Sequence, residues 1–148
     1  MRKIYTKHGV ALPIMEDGFD SPQTIINAHI QKCQERSRVY FSTSYATNGK
    51  KLKALDSVLL YNVTQGIYYI ADIETAIGYG KERDIPDDAA DFSPEQYANV
   101  PEKTWLLIKN IKKVQLQDLA KYYFDKTSVD EHLKTTKRWN RFYYAYGE

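Results

Sequence analysis

The sequence predicts an α+β fold: a small mixed β-barrel with helices packed outside, built as a single domain over residues 1–148 with a long acidic loop at about 78–103. Three observations predict it. Ser57-Val58-Leu59-Leu60-Tyr61-Asn62-Val63 is a nearly continuous apolar run, and a strand that is apolar on both faces belongs inside a closed barrel or a sheet covered by helices. Thr64-Gln65-Gly66 joins that run to a second strand, Ile67–Glu74. A short connector ending in Gly reads as a hairpin, because Gly accepts positive φ without a Cβ clash. Segments with helical apolar spacing stand before and after this core, at residues 21–33 and 116–124, and supply its cover.

Taken in order, Lys3-Ile4-Tyr5-Thr6 reads as a first short strand. Gly9 to Asp20 reads as a loop, with Pro13 and Asp17-Gly18 as breakers. Ser21-Pro22 opens a helix: Ser caps the first turn, and Pro takes a position whose N–H has no intrahelical acceptor anyway. Ile26, Ile30 and Cys33 follow at helical spacing with Ile25 beside them, forming one apolar stripe. Val39-Tyr40-Phe41-Ser42-Thr43, β-branched and aromatic, is the first core strand. Asn48-Gly49 marks a turn, and Lys51–Leu55 is at most a helical turn. Gly78-Tyr79-Gly80 breaks the strand that starts at Ile67. The acidic segment to Lys103, with Pro86, Pro94 and Pro101, reads as a long loop with one turn at Ser93–Tyr97; such loops are usually lids or disordered.

Trp105–Ile111 returns to strand. Leu116, Leu119, Ala120, Tyr123 and Phe124 fall at i, i+3, i+4, i+7 and i+8, the spacing of a helix with one apolar face. Ser128-Val129-Asp130-Glu131 has the capping-box pattern and opens a last short helix. Arg141–Tyr146 closes the chain as a strand or ordered tail.

The formal charge of +2 is too small to announce a polyanionic partner, so its distribution matters more. Residues 134–148 carry Lys134, Lys137, Arg138 and Arg141 against Glu148. Residues 81–103 carry Glu82, Asp84, Asp87, Asp88, Asp91, Glu95 and Glu102 against Lys81, Arg83 and Lys103. The single cysteine, Cys33, excludes an intrachain disulfide and fits a reducing cytoplasm. Apolar runs stay well short of membrane-spanning length, so neither a membrane partner nor a signal peptide is expected. His8, His29 and His132 lie at unrelated spacings, and one Cys makes no zinc-ligand set, so no metal and no cofactor is expected. His29 reads as a partly exposed helix residue and Cys33 as a core thiol. The glycines form neither a P-loop nor a dinucleotide fingerprint. Gly66-Ile67-Tyr68-Tyr69-Ile70 is close in letters to the GIY-YIG nuclease signature, but that signature is divided between two strands and here it runs through one. The expectation is a protein that is not an enzyme.

The ordered set of elements resembles the YTH and EVE branch of the PUA-like superfamily, small barrels that bind a modified or flipped base. The resemblance runs from Ser21 to Phe124. A helix is followed by a GVWAST-type strand, here Arg38-Val39-Tyr40-Phe41-Ser42-Thr43, and by a basic connector, Lys50-Lys51-Leu52-Lys53. Then come Leu60-Tyr61-Asn62-Val63, Gly66–Ile73 and the Trp-led Trp105-Leu106-Leu107-Ile108. Lys51–Val58 is similar to the EVE element Lys-Leu-Lys-x-Gly-Asp-x-Val, with Leu55 where Gly is usual.

Such a site needs aromatic walls for stacking and a few hydrogen-bonding groups for the base edge. The resemblance implies that Tyr40 is one wall and that Ser42 contacts the base. Strand alternation puts both on one side, and Asn62 on the strand expected beside them completes the cavity. The family's second wall is a Trp in the variable loop. Here no Trp stands between Gly66 and Lys103, which leaves Tyr79, Phe92 or Tyr97. Lys50, Lys51, Lys53, Lys137, Arg138 and Arg141 are the expected phosphate contacts. The partner expected is DNA or RNA. The alternative is an interaction or inhibitor protein that docks its Glu82–Glu102 loop on a basic protein surface. Against both stand plainer readings: strand tyrosines fill cores, and short basic runs are solvated turns.

Overall fold

In the computed structural model, residues 7–14, 20–46, 49–62, 65–119, 122–124, 127–128 and 143–147 are described. They contain strands β1 (Lys7–Ile14), β2 (Val39–Thr43), β3 (Ser57–Asn62), β4 (Ile67–Gly78), β5 (Thr104–Val114), β6 (Tyr122–Phe124), β7 (Thr127–Ser128) and β8 (Tyr143–Gly147). The helices are α1 (Pro22–Arg36), α2 (Gly49–Lys53) and α3 (Ala89–Phe92), with a 3-10 turn at Leu116–Leu119. The strands form one mixed sheet in the order β2-β5-β4-β3-β1-β8-β6-β7, with β1 parallel to β3. β2, β5, β4 and β3 are antiparallel neighbours and curl into a half-barrel.

The elements follow from local sequence where local signals are strong. Ser21 caps α1 with its hydroxyl accepting from the Thr24 amide at 3.3 Å, and Pro22 fills the first turn. The chain leaves α1 through Ser37 in the left-handed region at φ 69°. The β3–β4 hairpin turns on Gly66 at φ 66°. β3 is central, and five of its six residues are buried, as its apolar run requires.

The curvature of the sheet comes from two irregularities in the β4–β5 pairing. Between the pairs Ile70–Lys112 and Asp72–Lys109, β5 has one residue more than β4, and Asn110 there takes φ 54°. Between Ile73–Ile108 and Thr75–Leu107 the extra residue is on β4. A bulge bends its strand and resets which residues face which side. One side of the sheet therefore packs Val39, Phe41, Val58, Leu60, Tyr69, Ala71, Leu106 and Ile108 against Ile25 and Ile26 of α1 and against Leu52 and Leu55. The other side packs Tyr40, Trp105 and Leu107 against Ala89, with Ile77, Tyr79, Ile85 and Phe92 around them. Each fully buried Leu or Ile in these layers contributes ~1.5–3 kcal/mol.

Several expectations are corrected. Residues 9–14 are strand, not loop: β1 runs parallel to β3 from the Gly9–Ser57 pair to Ile14–Asn62. Pro13 falls within this pairing, opposite Tyr61 and one residue before its last pair. The helix expected over 116–124 is a 3-10 turn followed by strand β6, since Tyr122 and Tyr123 pair with β8, a partner far away in sequence. The acidic segment is a loop with the expected turn, where the Tyr97 amide donates to the Pro94 carbonyl at 2.9 Å; what was not expected is the short helix α3, whose Ala89 packs against the sheet. His29 is buried, 3% exposed, rather than partly exposed. Ser128 lies in β7, while Lys3–Thr6 and the rest of the expected last helix lie outside the described residues. Among the described residues no helix is long and apolar enough to cross a membrane.

Candidate functional site

The predicted base-binding residues are divided between the two sides of the sheet. β2 pairs with β5, and two strands, β5 and β4, separate it from β3. Tyr40 and Asn62 are therefore not neighbours, and they point to opposite sides. Tyr40 is 3% exposed, meets Trp105 edge-to-face at 5.7 Å and donates from its hydroxyl to Asp88 Oδ1 at 2.7 Å. Ser42 is half-buried on the same side, opposite Trp105 in register, and Tyr79 also borders this cluster.

Asn62 is buried on the α1 side. Its amide donates to Gln23 Oε1 and Gln65 Oε1, each at 3.1 Å, and accepts from the Gln65 backbone. Gln23 in turn donates to the Tyr69 hydroxyl at 2.9 Å. This is a network in which buried polar groups satisfy one another. Tyr97 is also on the α1 side, stacked on His29 at 5.5 Å. The His29 ring packs against Phe41 at 4.6 Å, and its Nδ1 lies 2.7 Å from the Ile25 carbonyl oxygen, to which it donates. Burial pulls its pKa down to about 4, against the opposing effect of that hydrogen bond.

Of the predicted phosphate contacts, Lys53 is exposed at the end of α2. Lys50 and Lys51 lie in the same helical turn, while Lys137, Arg138 and Arg141 lie outside the described residues. A cleft of about 290 Å3 opens between Gln31, Lys32 and Glu35 of α1 and the Pro94-Glu95-Gln96 turn. None of the predicted base-binding residues lines it.

What the structure does assemble is a cap. Residues 79–103 leave β4, cross the side of the sheet away from α1, wrap the β2 edge and return into β5. Backbone pairing closes the base: the Tyr79 amide donates to the Lys103 carbonyl at 2.8 Å, and Asp84 and Glu102 exchange backbone bonds at 3.2 and 3.1 Å. Trp105, fully buried, donates from Nε1 to the Asp84 carbonyl at 2.9 Å, so its one polar atom is satisfied by the cap. Tyr40 holds Asp88 from beneath. Arg38 lies over the Phe92 ring, 4.9 Å from its centroid, and pairs with Glu74 at 2.9 Å. Arg83 pairs with Glu102 at 3.2 Å; being partly exposed, this pair contributes ~0–1 kcal/mol.

These anchors leave Glu82, Asp84, Asp87, Asp91 and Glu95 exposed on one ordered segment. The local field follows. Burial, then the nearby Asp84, Asp87 and Asp88 carboxylates, push the Tyr79 phenol above its ordinary range. Burial, then the hydrogen bond and charge of Asp88, do the same to Tyr40. Burial raises Glu102 against the opposing charges of Arg83 and Lys103.

Asp88, Arg38 and Trp105 had no assigned role in the sequence. The signal for Trp105 was available, since a buried indole N–H needs an acceptor. Asp88 had none, being one of seven carboxylates in the segment 81–103. Ser93 Oγ is the buried polar side-chain atom left without a partner among the described residues. No cluster of three His, Cys, Asp or Glu side chains is placed to hold a metal among those residues. Comparison with protein-family models, with curated proteins and with solved structures found no match.

Proposed function

We propose that this chain is a non-enzymatic interaction module that docks its acidic cap on a basic protein surface. One observation carries the reading: residues 79–103 are held in a fixed shape by Trp105, Tyr40 and Arg38, with their remaining carboxylates turned outward. A pre-shaped charged surface loses little entropy on binding, and complementary charge speeds encounter and selects the partner. A binding role rather than catalysis is supported by the commitments of the interior polar groups: Tyr40 to Asp88, His29 to Ile25, and Asn62 to Gln23 and Gln65. A PUA-like barrel remains our proposal for the fold. It is supported by the order of helix, strand, basic turn, hairpin and Trp-led strand.

The test is a titration of the full chain with a synthetic oligolysine, followed by calorimetry. The wild type should bind with strong salt dependence, and Asp87→Asn/Asp91→Asn/Glu95→Gln should lose binding with an unchanged circular dichroism spectrum. Among the described residues these three side chains make no hydrogen bond or ion pair that anchors the cap to the sheet. Equal binding by the triple variant would overturn the reading.

A further inference from the structure

The same side of the sheet that carries the cap at one end carries cations and an aromatic stack at the other. Three cross-strand rows define this region: Ser57–Asp72–Lys109, Leu59–Ile70–Lys112 and Tyr61–Tyr68–Val114. Their side is fixed by their neighbours, because Val58, Leu60, Tyr69, Ala71 and Ile108 all face α1 and side chains alternate along a strand. Lys109 and Lys112 would fall on opposite sides of a regular strand. The extra residue at Asn110, φ 54°, returns both to the side away from α1. The bulge is tied to β4, where Asn110 Nδ2 donates to Asp72 Oδ2 at 2.8 Å. The one carboxylate in the rows is thus engaged by a neutral amide. Lys109 and Lys112 are exposed and enter no ion pair among the described residues.

In the third row the Tyr61 and Tyr68 rings stack in parallel, 5.1 Å between centroids and 9° between planes. Tyr61 is the buried member and Tyr68 the half-exposed one. Tyr68 lies one row beyond Lys112 and two beyond Lys109. Lys109 and Lys112 are two register positions apart, roughly 7 Å along the strands, the scale of one nucleotide in an extended chain.

We propose that this β4–β5 surface binds a single-stranded polynucleotide, with Lys109 and Lys112 on successive phosphates and Tyr68 stacking an unpaired base. A single strand is the occupant that fits, because a paired base offers no free face to an aromatic ring and a duplex would be met by charge alone. The adjoining acidic cap confines a polyanion to this half of the sheet. The surface differs from the base pocket and phosphate contacts expected from the sequence, and it stands whether or not the acidic cap has a protein partner.

The competing explanation is edge protection. The pairing of β2 with β5 stops at Val39–Ile108, so residues 109–114 run along an edge among the described strands, where Lys guards against sheet-to-sheet aggregation. Lys113 separates the two explanations. It lies on the same edge but opposite Tyr69, on the α1 side. The experiment is fluorescence anisotropy of the full chain with labelled oligo(dT), oligo(U) and a duplex of equal length, at about 50 and 200 mM salt. A single strand should bind more tightly than the duplex. Lys109→Gln and Lys112→Gln should each flatten the log–log salt slope by roughly 0.7, while Lys113→Gln leaves it nearly unchanged. Tyr68→Ala should weaken binding about tenfold or more and Tyr68→Phe should retain it, with melting temperatures measured for both. The proposal is overturned by no oligonucleotide binding at low salt, by equal duplex binding, by an effect of Lys113→Gln matching the other two, or by full affinity in a folded Tyr68→Ala.

Discussion

The Tyr40 hydroxyl donates a 2.7 Å hydrogen bond to Asp88, across 48 residues of chain, and so ties the acidic cap to the edge strand of the sheet. The ring that the family resemblance implies as a stacking wall is instead the floor under the cap. Tyr40→Phe should keep the packing with Trp105 and lose the bond, costing about 1–2 kcal/mol because Asp88 stays partly solvated. Tyr40→Ala should cost about 3–5 kcal/mol through the cavity it leaves. Urea unfolding of both variants checks the order; equal stabilities for wild type and Tyr40→Ala would place the ring outside the core.

His29 should make the fold sensitive to acid. Its pKa in the folded chain is about 4, below the ordinary value of 6.5, because burial disfavours the charged ring. The unfolded chain therefore binds the proton more readily. The contribution of His29 is fully present above pH 6.5 and is lost as the pH falls from there toward 4, by about 3 kcal/mol in all. Denaturant midpoints taken across that range should fall for the wild type and fall less steeply for His29→Phe.

Asn62 should behave as a structural amide. Asn62→Leu removes the partner of Gln23 and of Gln65 at a buried position, and roughly 1–3 kcal/mol of stability should go with it. Gln23→Ala should cost less, since water reaches its end of the network. A double-mutant cycle of the two should show coupling of ~0.5–3 kcal/mol. Strict additivity would mean that the network is not formed.

Asn110 should discriminate sharply among substitutions. Its φ of 54° suits Gly and Asn and is costly for a β-branched residue. Asn110→Gly loses the bond to Asp72 while relieving the backbone, so stability should change by under ~1 kcal/mol. Asn110→Val should cost about 1–3 kcal/mol and, by disturbing the bulge, should misplace Lys112. Thermal melts of the two variants side by side test this. A Val variant as stable as the Gly variant would show that the bulge is not required.

Much of the architecture was written locally. Ser21-Pro22 specifies where α1 starts, because a cap and a first-turn proline act within a few residues of chain. The run from Ser57 to Asn62 demands burial on both sides, and Gly66 allows the turn after it. The sequence by itself therefore determined a helix-covered sheet with a central hairpin. Tertiary structure alone decided which side chains meet. Gly9–Ile14 and Tyr122–Phe124 become strands only because β3 and β8 arrive beside them, partners distant in sequence. Tyr40 and Asn62, expected in one cavity, are kept apart by β4 and β5, which enter the sheet between β2 and β3 although they follow both in the chain. The extra residues at Asn110 and in the Ile73–Thr75 stretch reverse the alternation partway along β5 and β4. Side chains in a strand repeat every two residues, so a single inserted residue moves everything beyond it to the other face, and only the pairing with a neighbouring strand reveals where that insertion falls.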